Sequence, residues 1–408
     1  MKRIGFIVAA VVVILLLIAG VPPSPDTRNA PRFVPGKTQP VGNYTWVHYD
    51  WHTVRPFVND KVWIFGRRNR TNQFNCLYDL RERMILGELT NGGVILSSGD
   101  GKKLLIGGRN SPAIELKERV LGLLQKISGG KINLNNNQTE SFWVLNLDDN
   151  AAKRVGSVSQ YTGTSSSWYG SPQLQYGCTR PTTEGGSFAL FNFADDSFTR
   201  VPLRGQLRGW WDDQNVFLEA ENHDFILYDV ERRQTTTLFR ANEVHEALER
   251  WKLPSDPANV VAFANWNGRE YDFYLAEKDY ERQARKCFLL KIERTTPRPT
   301  LKLVSPDFQF AWGGRFNAEG THFLYQGESG GPGSGGNGAV YLRDLSDNSV
   351  RTLVPPDNKG RYAIPRFYGD EVIYFRDRVL WRIGLDGSNN VPLFPTNAPP
   401  ESQGHEGQ

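Results

Sequence analysis

A two-part phrase returns seven times along this chain, at intervals of about fifty residues. Its first part is an aromatic or apolar residue, a polar turn and a strand-forming run; Phe57–Phe65 and Phe367–Phe375 align without gaps. Its second part is an apolar strand that ends in a polar residue and then Leu, Val, Phe or Ile, as in Leu77–Leu80. A repeat of this length with four strands per unit is typical of a β-propeller. The sequence therefore predicts an all-β, seven-bladed β-propeller with four-stranded antiparallel blades, over residues 44–396.

The apolar residue of the second part marks the end of the third strand of each blade. The predicted ends are Leu80, Leu147, Phe193, Val230, Ile292, Leu345 and Leu385. The stretch Asn43–His52 is left over. It forms either the innermost strand of the first blade or a strand that pairs with the seventh blade and closes the ring.

The turn between the first and second strands carries glycine in its best copies, at Gly101 and Gly320. Glycine fits because the turn needs a positive φ. These turns resemble the aromatic–Ser–Pro–Asp–Gly corner of TolB-like and WD-repeat-like β-propeller repeats, although Asn317, Ala318 and Glu319 stand in place of its Ser-Pro-Asp core. The resemblance implies a propeller fold and transfers no activity, because propellers host many functions.

The amino-terminal segment predicts export. Lys2 and Arg3 precede Ile4–Val21, which has no polar side chain, and an apolar run of this kind behind a basic flank indicates a transmembrane signal anchor or a cleaved signal peptide. In both cases the basic residues stay on the cytoplasmic side. We therefore expect a signal anchor over residues 1–21 with the propeller on the periplasmic or extracellular side, or a secreted protein if the leader is cleaved. A Pro-rich linker over 22–43 and a disordered tail over 397–408 complete the predicted organisation.

Charge and cysteine content exclude several classes of function. The net charge is +4, from 48 basic and 44 acidic residues that are interspersed, so nucleic acid is not an expected partner. Three widely spaced cysteines give neither a disulfide framework nor a zinc pattern. Gly327–Pro332 has the spacing of a hydrolase nucleophile segment, but a flexible glycine run surrounds it instead of a strand and a helix. The sequence predicts no metal, no cofactor and no catalytic residue.

The interruptions of the repeat lie mostly between second and third strands. They are Gly66–Arg70, Asn110–Glu140, Glu277–Lys286 and Gly327–Gly338. The insert over 110–140 contains a predicted amphipathic helix. The crossing from blade four to blade five, Asn242–Trp251, predicts a short helix with Val244, Leu248 and Trp251 on one side. Such connections leave a propeller from one face, and long loops on a rigid scaffold often carry function.

Aromatic and arginine residues near the innermost strands are the candidate binding residues: Trp168, Trp210, Trp312, Arg366, Arg67 and Arg68. We interpret the chain as a non-catalytic, membrane-tethered propeller that binds a protein or a cell-envelope polymer through its loop face. The alternative is a carbohydrate-active lyase or hydrolase at the mouth of the channel. That alternative requires two convergent carboxylates, or a carboxylate beside an Arg or His.

Overall fold

Seven antiparallel sheets, six of four strands and a first one of six, follow one another along the chain as the blades of a propeller. A computed structural model describes the protein. The described residues are 30–40, 44–49, 57–58, 60–68, 72–108, 137–161, 168–179, 187–254, 256–267, 269–278, 286–295, 298–309, 314–326, 338–356, 365–376 and 379–395. This confirms the predicted fold and blade count.

Each blade is built from consecutive strands. Blade one contains β1 (Arg32–Thr38), β2 (Tyr44–Tyr49), β3 (Phe57–Val58), β4 (Lys61–Arg68), β5 (Asn72–Asp79) and β6 (Met84–Thr90). Blade two contains β7 (Gly93–Ser97), β8 (Lys103–Gly108), β9 (Asn137–Asn146) and β10 (Ala152–Tyr161). Blade three contains β11 (Trp168–Gly170), β12 (Tyr176–Thr179), β13 (Phe188–Asn192) and β14 (Ser197–Val201). Blade four contains β15 (Gln206–Trp210), β16 (Asn215–Glu219), β17 (Phe225–Asp229) and β18 (Gln234–Phe239).

The last three blades follow the same plan. Blade five contains β19 (Val260–Trp266), β20 (Tyr271–Glu277), β21 (Lys286–Glu293) and β22 (Thr300–Gln309). Blade six contains β23 (Arg315–Phe316), β24 (His322–Gln326), β25 (Val340–Asp344) and β26 (Val350–Val354). Blade seven contains β27 (Arg366–Tyr368), β28 (Glu371–Arg376), β29 (Val379–Gly384) and β30 (Val391–Phe394).

The repeated phrase has a local physical cause at the end of the third strand. In blade four the Asp229 carboxylate accepts backbone N–H bonds from Glu231 and Arg232, at 2.9 and 2.8 Å. The next residue, Val230, is buried, and its N–H donates to the carbonyl of Gln214 in the turn between the first two strands. The same two contacts recur in blades one, two, three and six, at the following pairs: Asp79 and Leu80, Asn146 and Leu147, Asn192 and Phe193, Asp344 and Leu345.

The glycine turns have the predicted backbone conformation. Gly101 has φ 72° and Gly320 has φ 68°, which glycine adopts without strain. The corner of blade three is built differently. Trp168 begins the innermost strand, and the turn follows at Ser171–Leu174, where the Ser171 hydroxyl accepts N–H bonds from Gln175 and Tyr176.

Blade one begins inside the segment that the sequence predicts as a linker. β1 pairs antiparallel with β6 at the outer edge of the blade, and Pro35 is tolerated there because an edge strand leaves one side unpaired. Phe33 packs edge-on against Trp63, with ring centroids 6.0 Å apart. Its N–H and C=O both bond to the Asn150 side chain of blade two, at 2.8 and 2.7 Å. The first sheet therefore extends back to Arg32, beyond the predicted boundary at residue 44.

The ring closes through side chains. β2 pairs with β4 and is the inner strand of blade one. Of the two predicted placements of Asn43–His52, the one in the first blade is therefore confirmed. Blade seven takes all its strands from its own segment. The Tyr78 hydroxyl donates to the Leu393 carbonyl at 2.6 Å, and the rings of Phe74 and Tyr78 pack on Phe394. Burial of aromatic surface therefore joins the first and last blades.

The predicted crossing helix is present as α1, Ala241–Arg250. Val244 and Leu248 are buried and Trp251 is half-buried, which confirms the apolar stripe. The Glu243 carboxylate accepts from the Arg240 N–H and from the Arg298 guanidinium of blade five, both at 2.7 Å. Arg298 lies between the third and fourth strands of its blade, so α1 runs along the outer junction of blades four and five and does not simply project from the loop face.

Three predicted features lie outside the described residues: the anchor over 1–21, the tail over 397–408 and the helix of the insert over 110–140. Of that insert the structure describes only the strand residues from Asn137 onward. Within the described ranges, no helix has the length and apolar character needed to cross a bilayer.

Candidate binding site at one end of the channel

Polar residues collect at one end of the ring. In an antiparallel blade, the start of the innermost strand and the end of the second strand lie at the same end, here called the upper end. From blade three to blade seven the last residues of the second strands are Thr179, Glu219, Glu277, Gln326 and Arg376. The innermost strands of blades four, six and seven add Gln206, Arg208, Arg315 and Arg366 near their upper ends. These nine residues are named the polar crown.

Five of the nine crown residues are buried to a degree that is unusual for polar side chains. Thr179, Glu219, Gln326, Arg366 and Arg376 are each at most 8% exposed. Burying a polar or charged group costs free energy unless hydrogen bonds or an opposite charge compensate for it. Each of these side chains is therefore compensated by hydrogen bonds or charges within the protein, or is available to bind a ligand.

The centre of the described crown is an ion pair between two strands of blade four. Arg208 donates from both Nε and Nη2 to Glu219 Oε2, with an Nε to Oε2 distance of 3.1 Å, and Nη2 also donates to Gln206 Oε1 at 2.6 Å. His223 Nδ1 lies 3.6 Å from Glu219 Oε1. The register that pairs Gln206 with Glu219 in the sheet brings these groups together. The carboxylate is therefore fixed between a guanidinium and an imidazole.

Three residues that bear on one titration lie on innermost strands of different blades. Tyr169, Arg208 and Arg315 belong to the innermost strands of blades three, four and six. Burial raises the pKa of the Tyr169 phenol, and the charges of the Arg208 and Arg315 guanidinium groups partly oppose that rise.

Three further crown side chains bind carbonyl groups or keep an unused acceptor. Arg366 Nη1 donates to the Pro365 carbonyl at 3.1 Å, and Arg376 Nη1 donates to the Pro355 carbonyl at 3.0 Å. The amide oxygen of Gln326 is buried and accepts no hydrogen bond from the residues that the structure describes. A buried acceptor of this kind favours a ligand that brings an N–H or O–H group.

The predicted binding residues fall into three groups. Trp168 and Trp210 are fully buried, and the Trp210 indole donates to the Tyr169 carbonyl at 2.7 Å, so both rings contribute to packing between blades. Arg366 belongs to the crown. Arg67 and Arg68 end β4 at the upper end, but their side chains, like the whole of Trp312, lie outside the described residues.

Sequence reasoning missed Tyr169, Arg208, Glu219 and Arg315. The available signal was the polar residue that closes each second strand after an apolar run, as in Asn215–Glu219 and His322–Gln326. That signal is weak because the same residues also suit an ordinary connection. In the described part of the chain, no three His, Cys, Asp or Glu side chains are grouped to hold a metal ion.

Comparison with known proteins gives the fold. No model of a known protein family matches the chain, and no curated protein matches its sequence. The β-propeller domain of the Trilobed protease from Pyrococcus furiosus is similar in structure, with a TM-score of 0.50 and 12% identity over 88% of this chain and 100% of that one. The tricorn protease gives a TM-score of 0.48 and 10% identity over 93% of this chain and 36% of that one. An oligogalacturonate lyase from Vibrio parahaemolyticus gives a TM-score of 0.44 and 10% identity over 86% of this chain and 92% of that one. Likeness at this level of identity establishes that the chain is a β-propeller.

Proposed function

We propose that this protein is a non-catalytic binding propeller that holds part of a partner, a protein or a cell-envelope polymer, against its polar crown. The observation that carries the proposal is the burial of Glu219, Gln326, Arg366 and Arg376 at one end of the ring. Apolar side chains at these positions would close the channel mouth at a lower desolvation cost. Polar groups that cost stability are expected where they serve recognition.

The proposal includes the location of the propeller. We expect residues 1–21 to hold it at a membrane and to place the crown on the exported side, because Lys2 and Arg3 precede the apolar run.

Site-specific photocrosslinking in the native cells tests the proposal. A photoreactive residue in place of Gln206, which is exposed in the crown, should form adducts with one partner. The matched control is Arg232, whose side chain is 81% exposed at the lower end of the same blade. Adducts from the Arg232 position alone would contradict binding at the crown. Mass spectrometry of the adducts would identify the partner.

A second candidate function is favoured by the Glu219 group. A carboxylate beside Arg208 and His223 satisfies the requirement for a carbohydrate lyase or hydrolase, in which the carboxylate removes or donates a proton and the cation stabilises developing negative charge. The purified protein would then cleave a polysaccharide and produce new chain ends. Glu219→Gln would abolish the formation of these chain ends. A lack of cleavage across neutral and acidic polysaccharides would eliminate this function and leave the binding proposal intact.

A further inference from the structure

The outermost strand of each blade presents a row of backbone groups to the outside, and such a row pairs readily with a strand of another chain. Native proteins prevent this pairing with charged side chains, with proline or with a covering strand. In blade one, β1 covers β6 and becomes the outer edge itself. Of the seven outer edges that the structure describes, six carry a protective residue: Lys37 in β1, Lys153 in β10, Arg200 in β14, Lys302 in β22, Arg351 in β26 and Pro392 in β30.

The outer edge of blade four, β18, is the exception. Its sequence is Gln-Thr-Thr-Thr-Leu-Phe, without a charged residue or proline. The side chains of Gln234–Thr237 are all exposed, and threonine favours strand structure. Within the described part of the chain, no strand pairs with the outer side of β18. The end of the strand is occupied, since Arg298 Nη2 donates to the Leu238 carbonyl at 3.2 Å. The unprotected edge is therefore Gln234–Thr237.

The absence of charge on this edge favours a second copy of the same chain as its partner. When a strand pairs antiparallel with its own copy, a twofold axis relates the two strands, and residues near that axis lie beside their own counterparts. A charged residue at the centre of such a strand would therefore lie close to a like charge, which is unfavourable. Glutamine and threonine avoid this repulsion, and threonine pairs on neighbouring strands are favourable. A different protein would impose no such limit, because it could place an opposite charge beside the edge.

We propose that β18 is a dimerisation edge, and that two copies of this chain pair antiparallel through Gln234–Thr237. The inference goes beyond the proposed function, because it concerns the outer rim of the ring and not the crown. β15, which carries Gln206 and Arg208, is the innermost strand of the same blade. Pairing at β18 therefore leaves the crown uncovered. A dimer presents two crowns, and two linked sites increase the apparent affinity for a partner with repeating units.

Analytical ultracentrifugation of the full-length protein in detergent tests the dimerisation edge with two variants of opposite charge. The wild-type protein should dimerise. Thr236→Lys and Thr236→Glu each place like charges on the two facing strands, and each should weaken the dimer at least about tenfold. An equimolar mixture of the two variants brings opposite charges together and should restore the dimer. A change in the fold of either variant would not produce this recovery.

The matched control is Thr199, an exposed threonine in β14, the outer strand of blade three. Thr199→Lys should leave the dimer unchanged. Crosslinking with a short bismaleimide in intact cells gives a second measurement: Thr236→Cys should be joined to its own copy, and Thr199→Cys should not. The native thiols of Cys76, Cys178 and Cys287 are buried, so they should contribute little background.

The outcomes separate the dimer from the proposed function. A wild-type protein that stays monomeric up to about 0.1 mM would overturn the dimer, and so would a mixture of the two Thr236 variants that stays monomeric. Crosslinking of Thr236→Cys to a different protein alone would assign the edge to that protein. In each of these cases adducts at Gln206 would still support binding at the crown. Adducts at Arg232 with the mass of two copies would support the dimer, since Arg232 lies in the turn that leads into β18.

Discussion

Polar side chains at the two ends of the ring differ in where their hydrogen-bond partners lie along the chain. At the lower end, Asp79, Asp229 and Asp344 close third strands and accept N–H bonds from residues two or three positions ahead. At the upper end, the Glu219 carboxylate is bound by Arg208, eleven positions away on a neighbouring strand. The amide oxygen of Gln326 accepts no hydrogen bond from the described residues. The lower-end aspartates are thus satisfied by the turn that follows them, whereas the Glu219 carboxylate of the crown is satisfied from a neighbouring strand.

This difference separates polar residues that build the fold from polar residues that are available for function. A locally capped turn stabilises the chain wherever it occurs. A buried pair such as Arg208 with Glu219 adds little net stability compared with apolar residues in the same place, because desolvation offsets its attraction. The crown is therefore poorly explained by stability alone. Substitutions at the two ends should behave differently, and the predictions below are ordered from the largest effect to the smallest.

The largest effect should come from removing one member of the buried crown pair. Glu219→Ala leaves the Arg208 guanidinium, which is 17% exposed, without its counter-ion. Breaking a buried pair in this way typically costs about 3–5 kcal/mol in the free energy of unfolding. Urea denaturation followed by tryptophan fluorescence should show a clearly lower midpoint.

Glu221 provides the control for this prediction, since it lies two positions further in the same blade. Its pair with Arg204 spans 3.9 Å, and both side chains are about two-thirds or more exposed, at 68% and 73%. Glu221→Ala should change the stability by less than about 0.5 kcal/mol. The double variant Arg208→Met with Glu219→Leu should recover most of the loss while weakening ligand binding. Equal destabilisation by Glu219→Ala and Glu221→Ala would show that the crown pair is not effectively buried.

A smaller effect is expected at the lower end. Asp229→Ala removes an acceptor from two backbone N–H groups, which typically costs about 1 kcal/mol for a cap of this kind. Asp229→Asn keeps an oxygen in place and should lose only a fraction of that. Both variants should bind the crown ligand with wild-type affinity. Weaker ligand binding by a folded Asp229→Ala protein would break the division between the two ends.

The division also explains how much could be predicted from the sequence. The blade count and the positions of the third strands followed from Asp or Asn before an apolar residue, because that pattern reports contacts within a few residues. The glycine turns at Gly101 and Gly320 were predictable for the same reason. The crossing helix was recognisable from the spacing of Val244 and Leu248.

The ion pair of the crown was not predictable because it joins residues from separate strands. Nothing local indicates that Arg208 meets Glu219. The large aromatic residues attracted the prediction instead, and Trp168 and Trp210 proved to be packing residues. The edge strand β1 was missed because prolines argue against a central strand, whereas an outer edge tolerates them.

Acid should act mainly on the lower end. The Ser98 hydroxyl and the Lys102 N–H lower the pKa of Asp100, and bonds from Ser197 lower the pKa of Asp195. A carboxyl whose folded pKa is depressed contributes stability above its unfolded pKa of about 3.9, and that contribution is lost as the pH falls through the folded value. The urea midpoint should therefore decline as the pH falls from about 5 to below 4, modestly because these groups are largely exposed. Asp100→Asn should flatten that decline, and an unchanged profile would contradict the assignment.

The smallest effect should come from removing the Tyr169 phenol, which responds only to alkali. Burial raises the pKa of Tyr169 above its usual value near 10, although Arg208 and Arg315 oppose the rise. A group with a raised folded pKa contributes stability that is complete below the unfolded pKa and is lost as the pH rises through the folded one. Tyr169→Phe should therefore make the urea midpoint less sensitive to pH above about 10. The ultraviolet difference between wild type and Tyr169→Phe isolates this phenolate from the other tyrosines. An alkaline profile of the urea midpoint that is the same in wild type and in folded Tyr169→Phe would contradict this assignment.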